Sequence, residues 1–133
     1  MWGVDTNVLA RYYMADDSIQ SPLAQRVLLE HVPFFVPKSV VLELVWVMQS
    51  NYALDKTAVL TALRHLTDSK AAVIEDAEAV HQAIDWFEKG LAFDDALHLA
   101  SSRTCKGFLT FDDRGFARRA RKISAKPDCV LPR

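Results

Sequence analysis

Short apolar runs alternate with longer stretches of helical periodicity along this chain. The first run, Trp2 to Val4, stops at Asp5, and Val8, Leu9, Tyr12 and Tyr13 then recur at i, i+1, i+4 and i+5. That spacing paints one stripe of a helix. It predicts a short buried strand from Trp2 to Val4, Asp5 at its carboxyl end, and a helix from about Thr6. Asp16-Asp17-Ser18 is a polar break, after which Ser21-Pro22 reads as an N-cap followed by proline at the first helical position. Leu23, Val27 and Leu28 supply the stripe of this second helix, which Pro33 ends, and Phe34-Phe35-Val36 forms a brief strand closed by Pro37. Ser39 caps a third helix from Val40 to about Tyr52 that is apolar nearly all round, hence buried on most sides. Glu43 falls in its first turn.

Asp55 begins a fourth helix with Val59, Leu60, Leu63 and Leu66 as its stripe, and Ala72-Val73-Ile74 makes a third short strand. Asp76 caps a fifth helix carrying Val80, Ala83, Ile84 and Phe87, which Gly90 closes. Asp94 and Asp95 open a sixth helix. The run Phe108-Leu109-Thr110 is a strand finishing at Phe111-Asp112-Asp113, followed by a basic helix from about Gly115 to Lys122 and a last strand at Cys129-Val130-Leu131. Short strands alternating with helices predict an α/β architecture around a short, mostly parallel sheet. A length of 133 residues, without repeat or linker, suits a single domain over 1–133.

Charge narrows the function classes. A formal net charge of -1 excludes a generic basic nucleic-acid binder, because no overall positive field draws in phosphates. It leaves room for a nucleic-acid substrate if a bound metal supplies the positive charge. Cys105 and Cys129 have no metal-like spacing and read as free thiols of a reducing compartment. The longest apolar run, Val40 to Met48, is interrupted by Glu43 and too short to span a bilayer, and Asp5 sits where the apolar core of a secretory signal would form. The expectation is a cytoplasmic protein with no membrane association.

Four acids share one topological habit, a strand end or a helix start: Asp5, Glu43, Asp95 with Asp94 beside it, and Asp112 with Asp113 beside it. In a parallel sheet the carboxyl ends of the strands share one edge, where ligands of open α/β sheets bind. Two carboxylates about 4 Å apart repel by roughly 4 kcal/mol at a partly screened dielectric. Convergence therefore implies protonation or a divalent cation. Hard oxygen donors suit Mg²⁺ or Mn²⁺ rather than zinc. Each acid also has an ordinary structural explanation. Asp94 reads first as the N-cap of the sixth helix, and Asp113 as a turn residue. Glu43 is harder to explain that way, because an unpaired carboxylate in an apolar segment is costly.

Taken in order, these blocks resemble a PIN-domain ribonuclease, specifically the VapC-type toxin of bacterial toxin–antitoxin pairs. The resemblance is carried by Val4-Asp5-Thr6-Asn7-Val8-Leu9, by Phe35-Val36-Pro37 leading to Leu42-Glu43-Leu44-Val45-Trp46-Val47, and by Val73 to Val80. It continues through Asp95-Ala96-Leu97-His98-Leu99-Ala100 and ends at Thr110-Phe111-Asp112 with Phe116-Ala117-Arg118-Arg119-Ala120. It implies a three-layer PIN-like fold, a short central sheet flanked by helices. It implies that Asp5, Glu43, Asp95 and Asp112 are the metal-binding and catalytic quartet for Mg²⁺, with Mn²⁺ as a substitute. Thr6, Asn7, Thr110, Asp94 and Asp113 become supporting groups. The implied reaction is hydrolysis of RNA to a 3′-hydroxyl and a 5′-phosphate, and the implied partners are a second copy of the chain and a small VapB-like antitoxin. Relatives often carry Asp-Phe-Ala-Asp-Ala where this chain has Ala92-Phe93-Asp94-Asp95-Ala96, so the earlier acid is missing here.

Arg114, Arg118 and Arg119 lead the only basic concentration, continued by Arg121, Lys122 and Lys126. It reads either as a solvated helix face or as a phosphate track for RNA. His98 reads as a hydrogen-bonded helix histidine in preference to a ligand. Trp46, Tyr52, Trp86 and Phe87 read mostly as core, with a share available to a protein interface. Two other functions compete with the nuclease. A catalytically silent PIN-like module binding protein or RNA would be free to lose acids, and here the quartet is intact. A haloacid-dehalogenase-like phosphatase wants a second aspartate two residues after the first, where this chain has Asn7.

Overall fold

The computed structural model describes residues 1–133, which form two compact units, Met1–Ala77 and Glu78–Arg133. The architecture is α/β, with seven α-helices and short strands whose every ladder is parallel.

In the first unit the order is β1 (Trp2–Gly3), α1 (Thr6–Met14), α2 (Gln20–Glu30), β2 (Phe34–Val36), α3 (Lys38–Ser50), α4 (Lys56–Asp68) and β3 (Ala72–Ile74). The sheet runs β1-β2-β3, pairing Trp2 with Phe34 on one side of β2 and Val36 with Ile74 on the other. Each crossover is a helix pair, the arrangement parallel strands demand. Central β2 buries Phe34 and Val36, and the unit's core is completed by Leu9, Leu44, Met48, Val59, Leu63 and Leu66.

The helix starts show why these elements form where they do. Asp55 caps α4, its Oδ1 accepting from the Ala58 N–H at 2.9 Å, as its position before an apolar stripe predicts. Helix α2 begins earlier than Ser21-Pro22 implies, because Asp17 Oδ1 accepts from the N–H groups of Ile19 and Gln20 while Ser21 Oγ accepts from the Asp17 N–H. That reciprocal cap captures the chain before Ser21 can. Helix α3 also starts early. The Pro37 carbonyl accepts from the Val40 and Val41 N–H groups, and Glu75 Oε1 accepts from the Lys38 N–H at 2.7 Å, so a distant acid satisfies a first-turn donor. Lys38 Nζ then pairs with Asp76 at 3.0 Å. Asp76 is in the left-handed region at φ 50, held by this latch.

Two burial expectations fail. Strand β1 is exposed, with Trp2 at 69% of its free surface, because it is the outer strand of its sheet and only two residues long. Helix α3 is amphipathic, burying Val40, Val41, Leu44, Val45 and Met48 while Glu43 and Trp46 face solvent.

The second unit holds α5 (Ala77–Glu88), α6 (Phe93–Ser101), β4 (Phe108–Leu109), one π-helical turn (Asp113–Ala117), α7 (Arg118–Lys122) and β5 (Cys129–Val130). Helix α5 ends in a Schellman motif. The Gly90 N–H donates to the Phe87 carbonyl and the Leu91 N–H to that of Trp86, with Gly90 at φ 119. Phe87 and Phe93 pack edge to face at 5.8 Å, as do Phe108 and Phe116 at 5.6 Å. Strands β4 and β5 pair Phe108 with Cys129 and Leu109 with Val130. No helix in either unit is long and apolar enough to cross a membrane.

Candidate functional site

In the first unit Asp5 is the N-cap of α1, and its Oδ1 accepts from the Thr6 N–H at 2.8 Å. A strand ending into a helix start puts an acid there for local reasons alone, since a carboxylate at a helix N-terminus meets unpaired donors and the positive end of the dipole. The bond leaves Asp5 Oδ2 open on an exposed residue. Beside it, Thr6 is buried and its Oγ1 has no hydrogen-bond partner, an orphaned oxygen next to an acid. Asn7 is exposed.

Glu43 lies in the second turn of α3, not the first, because the helix begins at Lys38. It is exposed, so the cost of burying an unpaired carboxylate does not arise at this position. Helices α1 and α3 pack together in this unit, but no hydrogen bond links Asp5 to Glu43.

In the second unit two acids adjoin in the chain. Asp94 and Asp95 occupy the second and third positions of α6 after Ala92 at the N-cap, and Asp94 Oδ1 accepts from the Asp95 N–H at 2.8 Å. The N-cap expected at Asp94 therefore falls two residues earlier. Asp95 is half-buried. Burial pushes its carboxyl above the ordinary carboxylate range, and the charges of Asp94 and Asp112 push it further, while His98 and Arg119 pull it back. Asp95 and Asp112 thus share one electrostatic neighbourhood.

Asp112 caps the π-helical turn, its Oδ1 accepting from the Gly115 N–H at 2.8 Å, and its own N–H donates to Thr110 Oγ1 at 3.0 Å. Gly115 is the residue that sequence reasoning misses. A Cβ at this position would stand 2.7 and 2.8 Å from the two carboxylate oxygens of Asp112, closer than real Cβ contacts allow. Only glycine lets that carboxylate lie against the backbone. The spacing Asp112-Asp113-Arg114-Gly115, a strand-end acid with glycine three residues on, is the signal that could have revealed it. Asp113 holds an ion pair with Arg121 at 2.9 Å, and Arg114, Arg118 and Arg119 are exposed.

Within neither unit do three or more His, Cys, Asp or Glu side chains gather closely enough to enclose a metal ion. The second unit nevertheless offers hard oxygen donors under mutual repulsion, the donor chemistry that suits Mg²⁺ or Mn²⁺.

A PIN domain family model matches residues 4–122. No curated protein matches the chain significantly. The family match points to nuclease-like chemistry on nucleic acid, of a kind that PIN domains generally run with divalent metal ions.

Proposed function

We propose that this chain, which belongs to the PIN domain family, is a metal-dependent endoribonuclease and the toxin of a VapC-type toxin–antitoxin pair. In this reading residues 1–133 work as one domain. Asp5, Glu43, Asp95 and Asp112 hold Mg²⁺, or Mn²⁺ in its place, and Thr6, Asn7, Asp94, Thr110 and Asp113 support them. The observation that carries the reading is the Asp95 carboxyl, half-buried without a hydrogen bond and pushed up first by burial, then by Asp94 and Asp112. The dipole of α6 favours acids in its first turn but leaves their mutual repulsion in place, and a divalent cation would convert that repulsion into ligation.

A bound cation of this kind supplies Lewis-acid polarisation of a phosphoryl oxygen and an activated water. The chain's own residues orient the donors. The Thr6 N–H fixes one oxygen of Asp5 and the Gly115 N–H fixes one oxygen of Asp112, so both carboxylates are aimed before substrate arrives. Arg114, Arg118 and Arg119 are exposed cations suited to the phosphates of an RNA strand. A cytoplasmic setting, a homodimer and a VapB-like antitoxin complete the proposal.

The test is cleavage of a panel of structured RNAs by purified protein in Mg²⁺, in Mn²⁺ and in chelator, with Asp5→Asn and Asp95→Asn in parallel. Cutting should require metal and vanish in both variants. Cutting that persists in chelator or in either variant overturns the assignment, as does a folded protein that cuts nothing. Expression in bacteria should arrest growth, and Asp95→Asn should relieve the arrest. Growth unaffected by the wild-type chain refutes the toxin role.

A further inference from the structure

We propose that Phe111 is a stacking platform for one unpaired nucleobase of a single-stranded RNA, set immediately beside the acid Asp112. The inference rests on the ribonuclease reading and adds to it the residue that grips a base. Phe111 is 84% exposed, the most open of the large hydrophobic side chains. Its neighbours in the chain behave otherwise. Phe108 and Phe116 pack on each other edge to face at 5.6 Å, while Phe111 meets no other ring. Single exposed hydrophobic side chains are ordinary on a protein surface; what sets Phe111 apart is its fixed place beside Asp112 and at the head of the basic segment.

The backbone around it is held firmly. The Thr110 N–H donates to the Val130 carbonyl at 3.0 Å, the Asp113 N–H donates to the Phe111 carbonyl at 3.1 Å, and the Asp112 N–H donates to Thr110 Oγ1 at 3.0 Å. The ring therefore projects from a hydrogen-bonded corner between β4 and the π-helical turn, not from a loose loop. A platform anchored this way loses little freedom when a base settles on it.

The surrounding charge selects the occupant. From Asp112 to Lys126 the chain carries six cations against two carboxylates; Arg121 pairs with Asp113 and Lys126 with Asp128. Arg114, Arg118, Arg119 and Lys122 are exposed. The cores of protein–protein contacts are depleted of charge, whereas an aromatic ring among cations matches a strand that offers bases and phosphates together. Bases in a duplex are already stacked and paired, so the ring can engage only an unpaired one.

The test is binding of a labelled 12-mer of uridine, followed by anisotropy in chelator so that no cutting occurs. Phe111→Ala should weaken binding about tenfold with the salt dependence unchanged, within the range for losing one base–aromatic stack. Phe111→Trp should restore it and show tryptophan quenching on binding, and Phe111→Leu should not restore it. A duplex of the same length should bind Phe111→Ala and wild type alike. Equal affinity of Phe111→Ala and wild type for the single strand overturns the proposal, as does full rescue by leucine. So does a change of oligomeric state in Phe111→Ala with RNA binding intact, which would make the ring a protein contact. Metal-dependent cutting by wild type, measured separately, shows whether the underlying ribonuclease reading has failed instead.

Discussion

Replacing Gly115 by alanine should separate activity from stability. Glycine to alanine inside a helix ordinarily gains about 1 kcal/mol, because glycine gives up more backbone freedom on folding. Here the new Cβ would lie 2.7 and 2.8 Å from the oxygens of Asp112 and 3.1 Å from its carboxyl carbon. The carboxylate has to swing away, and the 2.8 Å cap on the Gly115 N–H goes with it. A lost aspartate cap costs about 1 kcal/mol, so the gain and the loss cancel to within about 1 kcal/mol. Activity has no such compensation. Changes that mis-aim a metal ligand typically cost about 10- to 100-fold in metal affinity or rate, and that is the expected fall in RNA cleavage.

The assay pairs cleavage rate across a Mg²⁺ titration with urea denaturation of the same preparation. Gly90→Ala is the control of opposite sense. Gly90 has φ 119 and nothing within 4 Å of an added Cβ, so alanine there strains the Schellman turn of α5 without touching an acid. It should lose more than about 1 kcal/mol of stability and keep its cleavage rate. Undiminished cleavage in Gly115→Ala, or a loss of activity matched by a loss of several kcal/mol in stability, would refute the claim that Gly115 serves to place Asp112.

Three further outcomes follow from the same geometry. Leu44→Ala, at a position wholly buried on α3, should cost about 2–5 kcal/mol in denaturant unfolding. Trp46→Ala, two residues on and 61% exposed, should stay within about 0.5 kcal/mol; equal costs would mean that the two faces of α3 are misassigned. Replacing Arg118 and Arg119 together should weaken RNA binding and flatten the log–log salt slope by about 1.4, at roughly 0.7 per phosphate contact on a single strand, and an unchanged slope would leave them a solvated face. Free Mg²⁺ at a hundred times its dissociation constant should stabilise the protein by about 2.7 kcal/mol, read as a rise in Tm. Asp95→Asn should abolish that rise while raising the metal-free Tm by relieving repulsion; a metal-induced rise equal in both proteins would remove Asp95 from the ligand set.

What could be read from the chain divides by the range of the interaction responsible. Asp55 before the stripe of α4, Asp5 before α1 and Gly90 after α5 act on donors and acceptors a few residues away, so their spacing announces them. The start of α3 was not legible, because its first donor is satisfied by Glu75, 37 residues on, which no local pattern records. Ser21 was overruled by Asp17, a second local candidate with better reach. Periodicity marks the stripes but not which flank a neighbouring element covers, and Trp2 and Trp46 accordingly lie exposed where the pattern predicts burial. The acids of the candidate site were visible as residues, whereas the fit of Asp112 against Gly115 depends on backbone geometry in a π-helical turn.

The same ranges explain why an acid at a helix start is ambiguous. Asp5, Asp94 and Asp112 each give one oxygen to a backbone N–H at 2.8 Å, the ordinary work of a helix or turn terminus. Those bonds satisfy folding and would be made whether or not a cation ever arrived, so position alone cannot separate a cap from a ligand. Asp95 differs. Its carboxyl makes no hydrogen bond, it is half-buried, and its charged form is opposed by burial and by two neighbouring carboxylates. The dipole of α6 favours a first-turn acid, and His98 and Arg119 favour its charge, but no cap or hydrogen bond offsets the burial and the neighbouring carboxylates. Among Asp5, Asp94, Asp95 and Asp112, Asp95 is thus the one whose carboxyl does no capping work, and on the proposed reading it is the one that metal titration of Asp95→Asn interrogates most directly.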